Sequence, residues 1–116
     1  MNNSKDASLL KHILKHCEAI IAAQKRFGQD FEVFAKDTDY FNSVCMSLLQ
    51  IGELANHLSA EFRTKHNVLS WPEIIGLRNV VVHGYGQLDA AIVWATLNED
   101  VPKLLQYCAK LLFSSE

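Results

Sequence analysis

The apolar residues of this chain fall at intervals of three and four along most of its length. Leu9, Leu10, Ile13, Leu14, Cys17, Ile20 and Ile21 trace one stripe, which predicts a helix over about Lys5–Phe27. Gly28 is its natural stop. The stretch from Asp30 to Lys36 reads as a connector whose Phe31, Val33 and Phe34 pack on the bundle. A second helix starts at Thr38 or Asp39, either of which can cap it. Its stripe is Phe41, Val44, Cys45, Leu48, Ile51, Ala55 and Leu58. Gly52 sits inside that helix, where glycine costs about 1 kcal/mol against alanine and often marks close backbone approach. Glu61 to Asn67 is charged and reads as a frayed continuation or loop.

Ser70-Trp71-Pro72-Glu73 is a strong helix start, with Ser70 as cap, Pro72 in the first turn and Glu73 completing S-x-x-E. A third helix then runs to about His83, and Gly84 and Gly86 end it. Asp89 opens a fourth, carrying Ile92, Val93, Leu97, Val101, Leu104, Leu105, Cys108 and Leu111, with a kink or break at Pro102. Strand-like alternation and internal repeats are missing. The expectation is an all-α, up-down bundle of four main helices, one domain over residues 1–116 with a loose tail at 114–116. The wide apolar arcs of the fourth helix and part of the first make a homodimer plausible from pattern.

Composition narrows the function classes. The chain has 116 residues, 49% hydrophobic and 21% charged, an ordinary globular balance. No run approaches the ~20 apolar residues of a membrane span, and Met1-Asn2-Asn3-Ser4-Lys5-Asp6 lacks the apolar core of a signal peptide. A cytoplasmic location is the expectation, with no membrane partner. The formal charge of −2 and pI of about 6.2 argue against a strong non-specific nucleic-acid binder, though a local basic cleft is compatible with them. Cys17, Cys45 and Cys108 form no C-x-x-C pair and read as reduced core thiols. His12 and His16 lie four apart but lack the glutamate of H-E-x-x-H, so a solvated face is the better reading and no metal site is assigned. His57 and His66 have no partner that spacing identifies. Gly84-Tyr85-Gly86 is too short for a phosphate-cradling loop.

The chemistry concentrates in Arg78-Asn79-Val80-Val81-Val82-His83-Gly84-Tyr85. Arginine offers a permanent charge and a planar fork that suits phosphate oxygens. Histidine exchanges protons near neutrality. Together they can cleave RNA without a metal or other cofactor, because the 2′ hydroxyl is the internal nucleophile. In such a reaction His83 can protonate the leaving 5′ oxygen and Arg78 can steady the phosphorane. On an ideal helix, however, five residues set the two roughly 140° apart. Either the helix end unwinds or two subunits share the site. Asn79 lies one turn before His83 and can touch it. A helix C-terminus would favour a charged His83. Spacing alone favours a helix-end pair, with Arg78 in a salt bridge and His83 as a cap, because R-x-x-x-x-H occurs freely by chance. Glu53, beside Gly52, either orients Arg78 or His83 or is simply solvated or ion-paired.

The ordered set of elements resembles the HEPN superfamily, specifically its HepT-like toxin branch. It comprises an amphipathic first helix, Ile51-Gly52-Glu53 on the second, Trp71-Pro72-Glu73-Ile74, the R-N-x-x-x-H-x-Y motif, and a last helix with Asp89, Trp94 and Pro102. The resemblance implies a dimeric helical domain with two R-x-x-x-x-H motifs in one cleft, acting as a metal-independent endoribonuclease. It further implies a toxin paired with a minimal nucleotidyltransferase antitoxin that transfers AMP onto the motif tyrosine, here Tyr85. Arg78 and His83 are then catalytic, Asn79 and Glu53 supporting. The competing expectation is a catalytically silent module that holds a nucleotidyltransferase partner or a nucleotide.

Overall fold

A computed structural model describes residues 4–87 and 90–113. Among them the chain forms seven helices: α1 (Ser4–Phe27), α2 (Phe31–Lys36), α3 (Thr38–Asn56), α4 (Ala60–Lys65), α5 (Trp71–Ile75), α6 (Leu77–Gln87) and α7 (Ala90–Phe113). The all-α bundle anticipated from periodicity is what forms. Helix α1 lies against α3 and α7, and α6 lies against the same two, so four helices close a ring around one core. Leu10, Ile13 and Cys17 of α1 meet Val44, Leu48 and Ile51 of α3 and Val93, Leu97 and Val101 of α7 within that core. Burial of these stripes, more than propensity, holds short helices together.

Several local expectations change. The connector at 31–36 is helix α2, because the Asp30 carboxylate accepts from the Glu32 N–H and caps it. Only Phe34 of its three apolar residues is fully buried; Phe31 and Val33 stay partly exposed. Helix α3 is capped by Asp37, whose carboxylate accepts from the Tyr40 N–H at 3.0 Å, not by Thr38 or Asp39. The segment after Leu58 is helical too. Ser59 Oγ accepts from the Phe62 N–H at 3.0 Å and starts α4.

That cap is itself held. Asp6, 2% exposed on α1, accepts from both the Ser59 N–H (2.9 Å) and the Ser59 hydroxyl (2.7 Å). The carboxylate therefore fixes the residue that fixes α4.

The predicted third helix is two helices. Ser70 caps α5 as expected, but the chain turns at Gly76, whose N–H reaches Pro72 O at 3.0 Å while its carbonyl accepts from Asn79 to begin α6. At the other end Gly84 and Gly86 do not stop α6, which continues to Gln87. Leu77 and Val81 are buried against the core, and that packing outweighs a glycine penalty of about 1 kcal/mol each. The suggested start at Asp89 lies outside the described residues; α7 is helical from Ala90. Pro102 does not break α7. It withholds one N–H from the carbonyl at Asn98, an exposed position open to water, while Val101 and Leu104 anchor the helix on both sides. Among the described residues no helix is long and apolar enough to cross a membrane.

Candidate active site

Arg78 sits in the first turn of α6, directly over Gly52 of α3. A Cβ on Gly52 would lie 2.7 Å from Arg78 Cγ, 3.0 Å from the Ile75 carbonyl oxygen and 3.2 Å from the Arg78 nitrogen. The mid-helix glycine thus marks the close approach that its position suggested. It lets the α5–α6 turn settle onto α3 and seats the arginine stem in the gap.

Two hydrogen bonds then aim the guanidinium. Nε donates to the Ile75 carbonyl at 3.3 Å, and Nη1 donates to Glu53 Oε2 at 3.2 Å. Glu53 is therefore ion-paired with Arg78, the more ordinary of its two readings, and by the same contact it orients the arginine. The side chains are 34% and 48% exposed, so solvent screens the pair. An exposed pair of this kind stabilises by about 0–1 kcal/mol; its effect is on direction. Among the described residues, two of the five N–H groups of this arginine are engaged.

The helix register decides how the other motif residues stand to Arg78. Because α6 is unbroken from Leu77 to Gln87, unwinding near Gly84 does not bring position 83 round to position 78. The two positions remain roughly 140° apart. Position 83 also lies a full turn before the last residue of α6. Asn79 is exposed and four residues before position 83 on the same helix. Position 85 follows Arg78 by nearly two turns, about 10 Å along the axis on the same side. The side chains of His83 and Tyr85 lie outside the described residues. Val82, 64% exposed, stands between these positions on the outer surface of α6.

The model of the family described as "HepT-like: Ribonuclease HepT-like" matches residues 13–111. The chain belongs to the ribonuclease HepT-like family. Among curated relatives, "Putative RNase TTE0752" of Caldanaerobacter subterraneus subsp. tengcongensis is 37% identical over 103 residues, covering 89% of this chain and 90% of the relative. "Putative RNase MJ1380" of Methanocaldococcus jannaschii is 35% identical over 86 residues, covering 66% of this chain and 79% of the relative. "Probable ribonuclease HepT" of Thermococcus cleftensis is 31% identical over 74 residues, covering 64% and 67%. No solved structure matches this chain.

Sequence reasoning missed one part of this HepT-like site, the Ile75 carbonyl that holds Arg78 Nε. A backbone acceptor carries no side-chain signature. Its only sequence signal is Gly76, the residue that turns the chain and leaves the last α5 carbonyls free of helical partners. The three cysteines are free and buried, as expected. Burial pushes the Cys45 thiol up to about 11 and Cys108 to about 12, and raises Cys17 further, with Cys108 and Glu18 adding to the last.

Proposed function

We propose that this chain is a metal-independent endoribonuclease toxin whose cleft is shared by two copies of the chain. Arg78 binds the scissile phosphate and steadies charge on the phosphorane; His83 protonates the 5′ leaving oxygen. The 2′ oxygen gives its proton to the neutral imidazole of His83 from the second copy and attacks phosphorus, the P–O5′ bond breaks, and a 2′,3′-cyclic phosphate and a 5′ hydroxyl result. Asn79 supports His83, and Glu53 supports Arg78.

The observation that carries this reading is the Arg78 geometry: a guanidinium aimed by Glu53 and Ile75 yet partly open to solvent. Preorganised charge of this kind is what a phosphoryl transition state rewards. The unbroken α6 backbone favours a shared site, since one copy keeps positions 78 and 83 well apart around the helix.

The proposal extends to control. A nucleotidyltransferase antitoxin transfers AMP from ATP onto the Tyr85 hydroxyl, releasing pyrophosphate. Added phosphate and bulk near Arg78 then oppose substrate phosphate.

The test is induction of wild type and His83→Ala chains in cells, with RNA profiled from both. Growth arrest and RNA loss with wild type alone supports the reading; cleavage retained by His83→Ala refutes the catalytic role of His83. A solution mass equal to one chain at micromolar concentration removes the shared cleft. After incubation with the partner and ATP, wild type gains mass in multiples of AMP, and Tyr85→Phe gains none.

A further inference from the structure

Two cavities flank the loop at 66–70, which joins α4 to α5. The first, about 320 Å³, is lined by residues of α4, the loop and α5, including Arg63, Thr64 and Asn67. The second, about 260 Å³, opens onto α7 at Lys103, Tyr107 and Lys110. Leu69 is a wall of both, and the rings of Trp71 and Tyr107, one in each lining, lie 6.3 Å apart. The cavities are therefore neighbours on one surface.

Their charge is unlike that of the chain. The protein is acidic overall, yet three of its cations line these cavities and, among the described residues, no carboxylate does. Asp100 lies one turn from Lys103 on α7 with Glu99 and Glu73 near it, but none of these three carboxylates lines either cavity. None of the three cations is within salt-bridge distance of a carboxylate among the described residues. Arg63 adds an independent sign: its Nε is buried and has no hydrogen-bond partner among the described residues. Folded proteins ordinarily satisfy such groups, and an unsatisfied one calls for a missing acceptor.

The loop between the cavities is held in place. Trp71 Nε1 donates to the His66 carbonyl at 2.6 Å, and Leu69 packs against the core. Val68, 78% exposed, offers an apolar surface beside the lysines. Alternating cations and apolar walls suit a single nucleic-acid strand, whose phosphates want charge and whose bases want contact. Position also fits. Pro72 lines the first cavity, and Ile75, which holds Arg78, is one turn further along α5.

We infer that these paired cavities form a phosphate-binding track for a single RNA strand, engaging phosphates beyond the one held at Arg78. The inference rests on the ribonuclease reading above. Arg63 takes one phosphate oxygen through the part of its guanidinium that lines the first cavity, and Lys103 and Lys110 take the neighbouring phosphates. Binding through such a track is independent of sequence and sensitive to salt.

The experiment measures anisotropy of a fluorescein-labelled, 2′-O-methylated RNA 12-mer with the full chain across a salt series. Wild type is compared with Lys103→Gln/Lys110→Gln and, separately, Arg63→Gln, each checked for fold by circular dichroism. The lysine pair sits on the surface, so the test survives if the Arg63 variant fails to fold. Loss of two phosphate contacts lowers the slope of log affinity against log salt by about 1.4 and weakens binding on the order of tenfold. A folded double variant with wild-type affinity and slope overturns the track. If that variant and wild type also cut RNA equally well, the ribonuclease reading stands alone. Salt-sensitive binding lost in the variant, with no cutting of any RNA by wild type, upholds the track and sinks the ribonuclease reading. Polyglutamate of equal charge competing as well as RNA overturns the track in favour of an acidic protein partner.

Discussion

Replacing Gly52 by alanine tests whether the close approach of α3 to the α5–α6 turn sets the arginine. Two effects oppose each other. Alanine in a helix interior gains about 1 kcal/mol over glycine. Its Cβ, however, meets Arg78 Cγ at 2.7 Å, with backbone atoms at 3.0 and 3.2 Å behind it. The first contact is mid-stem rather than a side-chain tip, and the others are main chain, so the α5–α6 turn must move. Overpacking of this kind costs about 1–3 kcal/mol. The net destabilisation is then about 0–2 kcal/mol, a fall in Tm of up to roughly 10 °C for a domain of this size. Activity should fall further than stability. A shift of about 1 Å in a positioned catalytic group can cost on the order of a hundredfold. Gly28→Ala is the control. Gly28 has φ +99° and nothing within 4 Å of its would-be Cβ, so alanine there strains the backbone by about 1–2 kcal/mol without touching the site. Thermal melts and RNA cleavage per folded molecule would be measured for both. The reasoning is refuted if Gly52→Ala cleaves as wild type does, or if Gly28→Ala loses as much activity at equal stability.

Asp6→Ala removes the acceptor of two Ser59 hydrogen bonds in a buried setting and should cost about 2–4 kcal/mol, read as a lower urea midpoint; a midpoint unchanged within error would show the contact to be idle. Cys17, Cys45 and Cys108 are buried with raised thiol pKa values, so iodoacetamide at pH 8 should label native protein far more slowly than urea-unfolded protein. Equal labelling rates would contradict their burial. His16 is held below its ordinary value first by burial, then by His12 and Lys15. The unfolded chain therefore takes up this proton more readily, and stability should decline as pH drops below about 6.5. His16→Gln should flatten that part of a Tm–pH profile, and an unchanged slope would remove His16 as its cause.

The long helices were readable because three- and four-residue spacing reports directly which side of a helix is buried. Gly52 was readable for a related reason, since a glycine that weakens a helix needs a packing cause. The short helices were not. Helices α2 and α4 have six residues each, too few for a periodic signal, and exist through their caps and their contacts. Pro102 and the two glycines of α6 misled because local penalties of one to a few kcal/mol are overridden by buried neighbours. In the site, Arg78 and Glu53 could be named from sequence, but the choice of Arg78, rather than His83 or solvent, as the partner of Glu53 could not be made. It depends on a turn at Gly76 that brings residues 25 positions apart together.

The Asp6–Ser59–Phe62 chain has a consequence for the order of assembly. A six-residue helix does not persist alone in water, and the contact that secures the α4 cap spans 53 residues. Such a long closure comes after the local helices of α1 and α3 have met. Helix α4, and Arg63 with it, should thus be among the last parts to fold. Mutations at Asp6 would then accelerate unfolding while leaving the refolding rate nearly unchanged, the signature of an interaction absent from the transition state.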